Sequence, residues 1–143
     1  MLTSLRSSSS FLAQAFSNAL RTLRVLEITA YLLAYDALSV LGMKWVWRLV
    51  HRQPRIASTP ADDAVTRLAR ALDTASAFYV KPVKCLQRAI VAAWYLRVRG
   101  YACVLVVGAH VARKEGHAWV EAGGVVLGDP RRLRRFFRPL ARV

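Results

Sequence analysis

The first fifty residues carry apolar side chains at the spacing of an α-helix. One apolar stripe consists of Leu26, Ala30, Leu33, Ala37 and Leu41, which recur every three or four residues. This spacing predicts an amphipathic helix from Phe11 to about His51, bent or divided at Gly42, after irregular, serine-rich residues 1–10. The prolines that follow predict a linker. We therefore assign residues 1–58 to a helical N-terminal region with its linker.

Two more helices are predicted before the pattern changes. Thr59 is placed to cap the first of them. Its apolar face consists of Val65, Leu68, Ala69 and Leu72. The second runs from about residue 83 to residue 99, where Gly100 provides a C-terminal stop. Cys85 then lies in the first turn of this helix.

The remaining sequence favours β-strands. Short valine-containing segments at 101–109, 117–122 and 125–127 predict three strands, with a turn at Gly123-Gly124. Helices followed by an antiparallel sheet indicate an α+β fold. We assign residues 59–143 to this second unit, which ends in a basic tail.

Composition and charge narrow the function classes. The 143 residues fit one domain, and a hydrophobic content of 55% argues against wholesale disorder. The net charge of +14 suits nucleic acid, an anionic membrane surface or an acidic peptide, and does not choose among them. Two cysteines and three scattered histidines form no zinc-type spacing and no disulfide framework. We therefore expect no metal and no cofactor.

Cys85 is the candidate nucleophile. A cysteine attacks as a thiolate, and the positive end of a helix dipole stabilises that anion. The neighbouring Lys84 adds positive charge. The alternative is that Cys85 is a small buried apolar residue, which is the commoner role of a lone cysteine in an apolar helix. Cys103 is interpreted in that way, as a core residue of its strand.

His117 and Asp129 complete a candidate triad. His117 begins an alternating strand, and Asp129 follows twelve residues later, across the glycine turn. Both side chains point to one face if the hairpin has a three-residue loop, or if a bulge intervenes. A two-residue loop at Gly123-Gly124 sends them to opposite faces. The alternatives are a surface histidine and an aspartate that initiates a turn before Pro130.

This constellation suits acyl chemistry. Cys85 would attack a carbonyl, His117 would hold and return the proton, and Asp129 would orient the ring. The backbone N–H of Cys85 is the first candidate oxyanion donor, and the side chain of Gln87 is a second one.

The residues around these positions resemble a known family. The strings KCLQRAIVAAWYLRVRGYACVLVVGAH and GHAWVEAGGVVLGDP are similar to the transglutaminase-like leader peptidases of lasso peptide biosynthesis, over about residues 80–130. The resemblance implies a transglutaminase/papain-like core, in which the nucleophile helix packs on a small antiparallel sheet. Carried over residue by residue, it implies Cys85 as nucleophile, His117 as base and Asp129 as acid. The sequence departs from the family's pattern in the basic segment before His117.

The resemblance also implies a biological setting. The substrate would be the leader of a ribosomally made precursor peptide, and a macrocyclase would then close the ring. Leader binding in such systems falls to a small recognition domain. This chain is too short to carry that domain, so we expect a separate recognition protein as partner. The setting would be the bacterial cytoplasm, with no nucleic acid involved.

Three other functions are left open. The tail from Arg131 to Arg142, with Phe136 and Phe137, would suit a non-catalytic module that binds nucleic acid. The long basic and apolar helix at residues 11–50 would suit peripheral membrane contact. A triad of this type also transfers acyl groups to amines, and the sequence does not separate transfer from hydrolysis.

Overall fold

The chain is described by a computed structural model for residues 3–55, 57–110, 112–128 and 134–143. Over these ranges four α-helices precede the sheet: α1 (Thr3–Leu41), α2 (Met43–Val50), α3 (Asp62–Ala77) and α4 (Cys85–Val98). Gly42 separates α1 from α2 with a φ of 122°, a backbone conformation that favours glycine, so the predicted division is confirmed. The expectation of irregular residues 1–10 is wrong for residues 3–10, because an established helix propagates through serines at small cost.

The second half of the chain forms an antiparallel sheet. Its strands are β1 (Val104–His110), β2 (Glu115–Ala122), β3 (Val125–Leu127) and β4 (Arg138–Arg142), in the order β3-β2-β1-β4. A short 3₁₀ turn at Arg134–Phe136 leads into β4. The strand β4 was not predicted, because all its side chains are exposed and show no alternation. It is an edge strand, where proline is tolerated.

Helix α4 packs against β1 and β2 at the centre of the molecule. The hydrophobic core joins the helices to the sheet, and its members include Ile28, Leu32, Leu68, Ile90, Leu105 and Val120. The predicted α+β fold, with the nucleophile helix on a small antiparallel sheet, is therefore confirmed. Since α1 supplies two of these side chains, it contributes to the core that residues 59–143 build. The division of the chain near residue 58 stays a prediction.

Helix α1 is apolar on two opposite sides. Ile28 and Leu32 are fully buried, whereas Leu26 and Leu33 of the stripe recognised in the sequence are 60% and 53% exposed. The periodicity predicted the helix but not its buried side, because both sides repeat at helical spacing. Within the described ranges, no helix is long and apolar enough to span a membrane.

The linker and the start of α3 are fixed by backbone contacts. Ser58 forms an isolated parallel bridge with Tyr101, so the linker is attached to the segment that follows α4. Ala61, with extended backbone, precedes α3 and no side chain caps it. The predicted cap at Thr59 is therefore wrong. The carboxylates of Asp62 and Asp63, in the first turn, instead interact favourably with the positive end of the helix dipole.

Candidate active site

Cys85 is the first residue of α4 and the more accessible of the two cysteines. Its side chain is half-buried and forms no disulfide. Lys84 precedes the helix with extended backbone, and no side chain caps the first turn. The sulfur therefore lies at the positive end of the helix dipole, as predicted.

Cys103 has the opposite environment. It is buried, and its Sγ lies 3.7 Å from the carbonyl oxygen of Ala93 in α4. Burial raises the pKa of the Cys103 thiol, which opposes thiolate formation. This agrees with its interpretation as a core residue and leaves Cys85 as the candidate nucleophile.

His117 lies near the start of β2, opposite Gly108 of β1. Its Nε2 is 3.1 Å from the carbonyl oxygen of Gly128. A carbonyl oxygen only accepts hydrogen bonds, so this contact requires the proton on Nε2. In the neutral ring, Nδ1 is then the nitrogen that can take up a proton. The hydrogen bond therefore determines which tautomer the neutral ring adopts.

Cys85 and His117 line the same open cleft, which has a volume of about 460 Å³. Its walls come from α3, from the start of α4 and from the end of β3. Because β3 ends at Leu127, opposite Val120, His117 lies beyond the end of this edge strand. The imidazole of His117 can therefore reach the cleft past the end of β3. It does so although His117 lies on the opposite face of β2 from the core side chains Ala118 and Val120.

The turn between β2 and β3 decides the register that the triad hypothesis depends on. Ala122 pairs with Val125, so the loop is the two-residue Gly123-Gly124, with φ values of 57° and 81°. These angles match a type I′ turn, in which glycine is strongly preferred. The three-residue loop is therefore absent.

The strand is nevertheless interrupted before the predicted acid. Gly128 has a φ of 84°, which ends the extended backbone of β3 after Leu127. The pairing register therefore does not extend to Asp129. Asp129 and Pro130 lie outside the described residues, and the role of Asp129 stays a prediction.

Gln87 does not line the cleft. It is buried, and its amide nitrogen donates to Asp36 of α1 at 3.1 Å. Tyr79 Oη and Lys81 Nζ donate to the same carboxylate at 2.7 and 2.8 Å. An oxyanion role for Gln87 stays a prediction. The contact that the structure gives it ties the start of α4 to α1.

The Asp36 cluster has a clear electrostatic signature. Burial opposes ionisation of Asp36, but hydrogen bonds from Lys81, Tyr79 and Gln87 outweigh it, and the pKa of the carboxyl lies below its ordinary value. Burial and the hydrogen bond to Asp36 raise the pKa of Tyr79 to about 12. The cluster fixes the segment that leads into Cys85. Its signal in the sequence was an aspartate within the largely apolar segment from Ile28 to Leu41.

A second set of side chains supports His117. The ring of His117 stacks on Trp119, with 6.0 Å between centroids. Trp119 Nε1 donates to Glu121 at 3.1 Å, and Arg142 of β4 donates to the same carboxylate at 2.6 Å. Phe137 contacts the His117 ring with its centroid 5.3 Å away. The alternation in HAWVE, which predicted the strand, also places these three β2 residues on one face.

An ion pair lies at the rim of the cleft. Arg88, one turn after Cys85, pairs with Asp73 of α3. Both residues line the cleft, and neither was singled out from the sequence. In the described part of the chain, no group of three or more His, Cys, Asp or Glu side chains could hold a metal ion.

Residues 29–142 match the family described as the transglutaminase-like superfamily. No curated protein and no solved structure matches the chain significantly. The matched range covers more than half of the chain and includes residues 29–41 of α1, the other helices and the whole sheet. The chain therefore belongs to the transglutaminase-like superfamily.

Proposed function

We propose that this protein is a cysteine peptidase that removes the leader from a ribosomally made lasso precursor peptide. The superfamily includes cysteine proteases. The observation that carries the proposal is the shared cleft of Cys85 and His117, in which the sulfur lies at a helix N-terminus and the imidazole has its proton directed to Gly128. The leader and the lasso precursor rest on the sequence resemblance over residues 80–130.

The chemistry follows from the tautomer of His117. Nδ1 takes the thiol proton as Cys85 attacks the scissile carbonyl carbon, and the imidazolium then gives that proton to the leaving amine. The Nε2–H bond to Gly128 keeps the ring oriented, and Asp129, the next residue, is assigned to stabilise the positive ring. The Cys85 N–H, at the start of α4, is the oxyanion donor. Water attacking the thioester releases the leader and regenerates the thiol.

The setting of the reaction follows from the same resemblance. A separate leader-recognition protein would present the precursor, and a macrocyclase would act on the freed amino group in the bacterial cytoplasm. Transfer of the acyl group to an amine uses the same acyl-enzyme, so the acceptor that reaches the cleft decides between the two reactions.

The basic tail has a role in the fold. Phe136 and Phe137 contact His110, with centroid distances of 6.3 and 5.8 Å, and Arg142 forms an ion pair with Glu121. Phe137 is half-buried against the sheet, whereas Phe136 is 63% exposed, so one of the two rings that the nucleic-acid hypothesis assigned to base stacking is withdrawn from it. The peptidase hypothesis is preferred because Cys85 and His117 line one cleft, which the nucleic-acid hypothesis does not explain.

The test is cleavage of the precursor peptide followed by mass spectrometry. The full chain, the recognition protein and the precursor are mixed, and Cys85→Ala, His117→Ala and Cys103→Ala are run in parallel. We expect one cut by wild type and by Cys103→Ala, and none by the other two. Cleavage by Cys85→Ala at the wild-type rate would overturn the proposal, since Cys103→Ala controls for loss of a thiol alone.

A further inference from the structure

A second cavity of about 820 Å³ lies between α1 and α3. Arginines line both of its walls: Arg21 and Arg24 on α1, and Arg67 and Arg70 on α3. Each pair is spaced three residues apart, so its members lie on one side of their helix. We call this cavity, defined by the four arginines, the arginine groove.

The positive charge of the arginine groove is only partly neutralised. Arg67 pairs with Asp63, and this exposed pair holds the guanidinium weakly. Asp73 is the acid among the groove residues, and it pairs with Arg88 of α4. Among the described residues, Arg21 and Arg70 form no ion pair. Cations that face each other across a groove repel, and an anion between them removes that repulsion.

The lining favours a carboxylate-bearing peptide. Leu20, Val25 and Ala71 supply apolar surface between the arginines. A peptide with both acidic and apolar side chains satisfies both kinds of surface, and the planar guanidinium pairs with carboxylates in a bidentate manner. Among the described residues that line the groove there is no aromatic ring, so these residues provide no stacking platform of the kind that single-stranded nucleic acids use. A flat membrane surface cannot enter a cavity between two helices.

The arginine groove adjoins the cleft. Asp73 lines both cavities, and its partner Arg88 lines the cleft together with Cys85. A peptide bound in the groove would therefore continue past this ion pair to the nucleophile. We propose that the arginine groove binds an acidic segment of the peptide substrate, at a distance from the bond that is cut. This proposal rests on the proposed peptidase function and adds the chemical class of the bound segment.

The first test measures binding without turnover. Cys85→Ala protein is titrated into a fluorescein-labelled peptide of alternating glutamate and leucine, and into its glutamine counterpart, with fluorescence anisotropy as readout. The groove variant carries Arg21→Glu and Arg70→Glu. The control variant carries Arg52→Glu and Arg55→Glu, which change the net charge equally on exposed linker residues outside the groove.

We expect the groove variant to lose about 10-fold or more in affinity for the glutamate peptide, because it loses charge-assisted hydrogen bonds. The control variant should change the affinity only slightly, and the glutamine peptide should bind weakly to all proteins. Equal losses in both variants would show attraction to net charge alone and overturn the proposal. Tighter binding of a single-stranded RNA, lost in the groove variant only, would assign the groove to nucleic acid and overturn it as well.

The second test separates this proposal from the peptidase function. With an acidic precursor as substrate, the groove variant should raise KM and leave kcat unchanged, since neither arginine lines the cleft. Absence of cleavage by wild type would refute the peptidase function, while the binding result would still stand or fall alone. Cleavage with an unchanged KM in the groove variant would refute substrate binding by the arginine groove. Thermal unfolding of both variants checks that these exposed substitutions keep the fold.

Discussion

The carboxylate of Asp36 ties the segment around Cys85 to α1, and its removal should have a measurable effect on stability. Asp36→Asn keeps the size of the side chain but replaces an acceptor oxygen by an NH₂ group. The three donors from Tyr79, Lys81 and Gln87 then compete for one oxygen. The segment that leads into Cys85 should be held less firmly.

The magnitude follows from the exposure of each donor. Lys81 is about half exposed and can return to water, so its ion pair contributes at most about 1 kcal/mol. Gln87 is buried and Tyr79 is partly buried, and hydrogen bonds to a charged group contribute about 1.5–3 kcal/mol. Since asparagine keeps one acceptor, we expect Asp36→Asn to lower the free energy of unfolding by about 2 kcal/mol at pH 7.

The effect should depend on pH in a defined direction. The pKa of Asp36 is lowered in the folded protein, so its contribution is fully present above the ordinary value of 3.8. It is lost as the pH falls through the lower folded value. The difference between wild type and Asp36→Asn should therefore shrink in acid.

Urea unfolding at several pH values measures this difference. Asp63→Asn is the matched control, because the pair of Asp63 with Arg67 is exposed and should contribute little to stability. An Asp36→Asn effect as small as that of Asp63→Asn, or one that persists undiminished in acid, would refute the argument. A fall in kcat at pH 7, with the protein still folded, would show that the cluster also positions Cys85.

Three further experiments test the burial of individual side chains and the packing around Trp119. Leu32→Ala should lower the free energy of unfolding by about 2–5 kcal/mol and Leu33→Ala by less than about 0.5 kcal/mol, because only Leu32 is buried. Urea unfolding measures both values, and equal effects would contradict the burial of the Leu32 side of α1. Gly108→Ala should cost about 1–3 kcal/mol, since its Cβ would lie 3.0 Å from the Trp119 indole on which the imidazole of His117 stacks, and under the proposed function it should also reduce cleavage. An unchanged melting temperature would contradict this. Iodoacetamide should alkylate Cys85 in the native protein and Cys103 only after unfolding, as peptide mass spectrometry would show, and equal native labelling would contradict the assigned burial.

The parts of the fold that the sequence predicted are those with a clear period or a strong turn signal. The division at Gly42, the position of Cys85 in the first turn of α4 and the short strand at 125–127 all follow from local chemistry. The predicted start of α4, at about residue 83, was two residues too early. The buried side of α1 could not be predicted, because Leu32 and Leu33 belong to two apolar sides of equal period.

The missed elements depend on contacts between distant residues. The strand β4 has no alternation of its own and is recognisable only by its pairing with β1. The cluster around Asp36 joins residues more than forty positions apart. The pairing of Asp73 with Arg88 likewise requires α3 and α4 to be placed first. Cys85 and His117 could be singled out as candidates because helix position and strand alternation are local signals. The side chains that support them come from distant parts of the chain and carry no local signal.

The two candidate catalytic residues are supported by contacts from distant parts of the chain. Asp36 of α1 holds the segment before Cys85. Arg142 of β4 holds Glu121, which accepts a hydrogen bond from the indole of Trp119 beside His117. The family match over residues 29–142 includes both sets of contacts as well as the cleft. If Cys85 and His117 react as proposed, loss of either set should lower the rate, because acyl transfer is sensitive to the separation of the reacting groups.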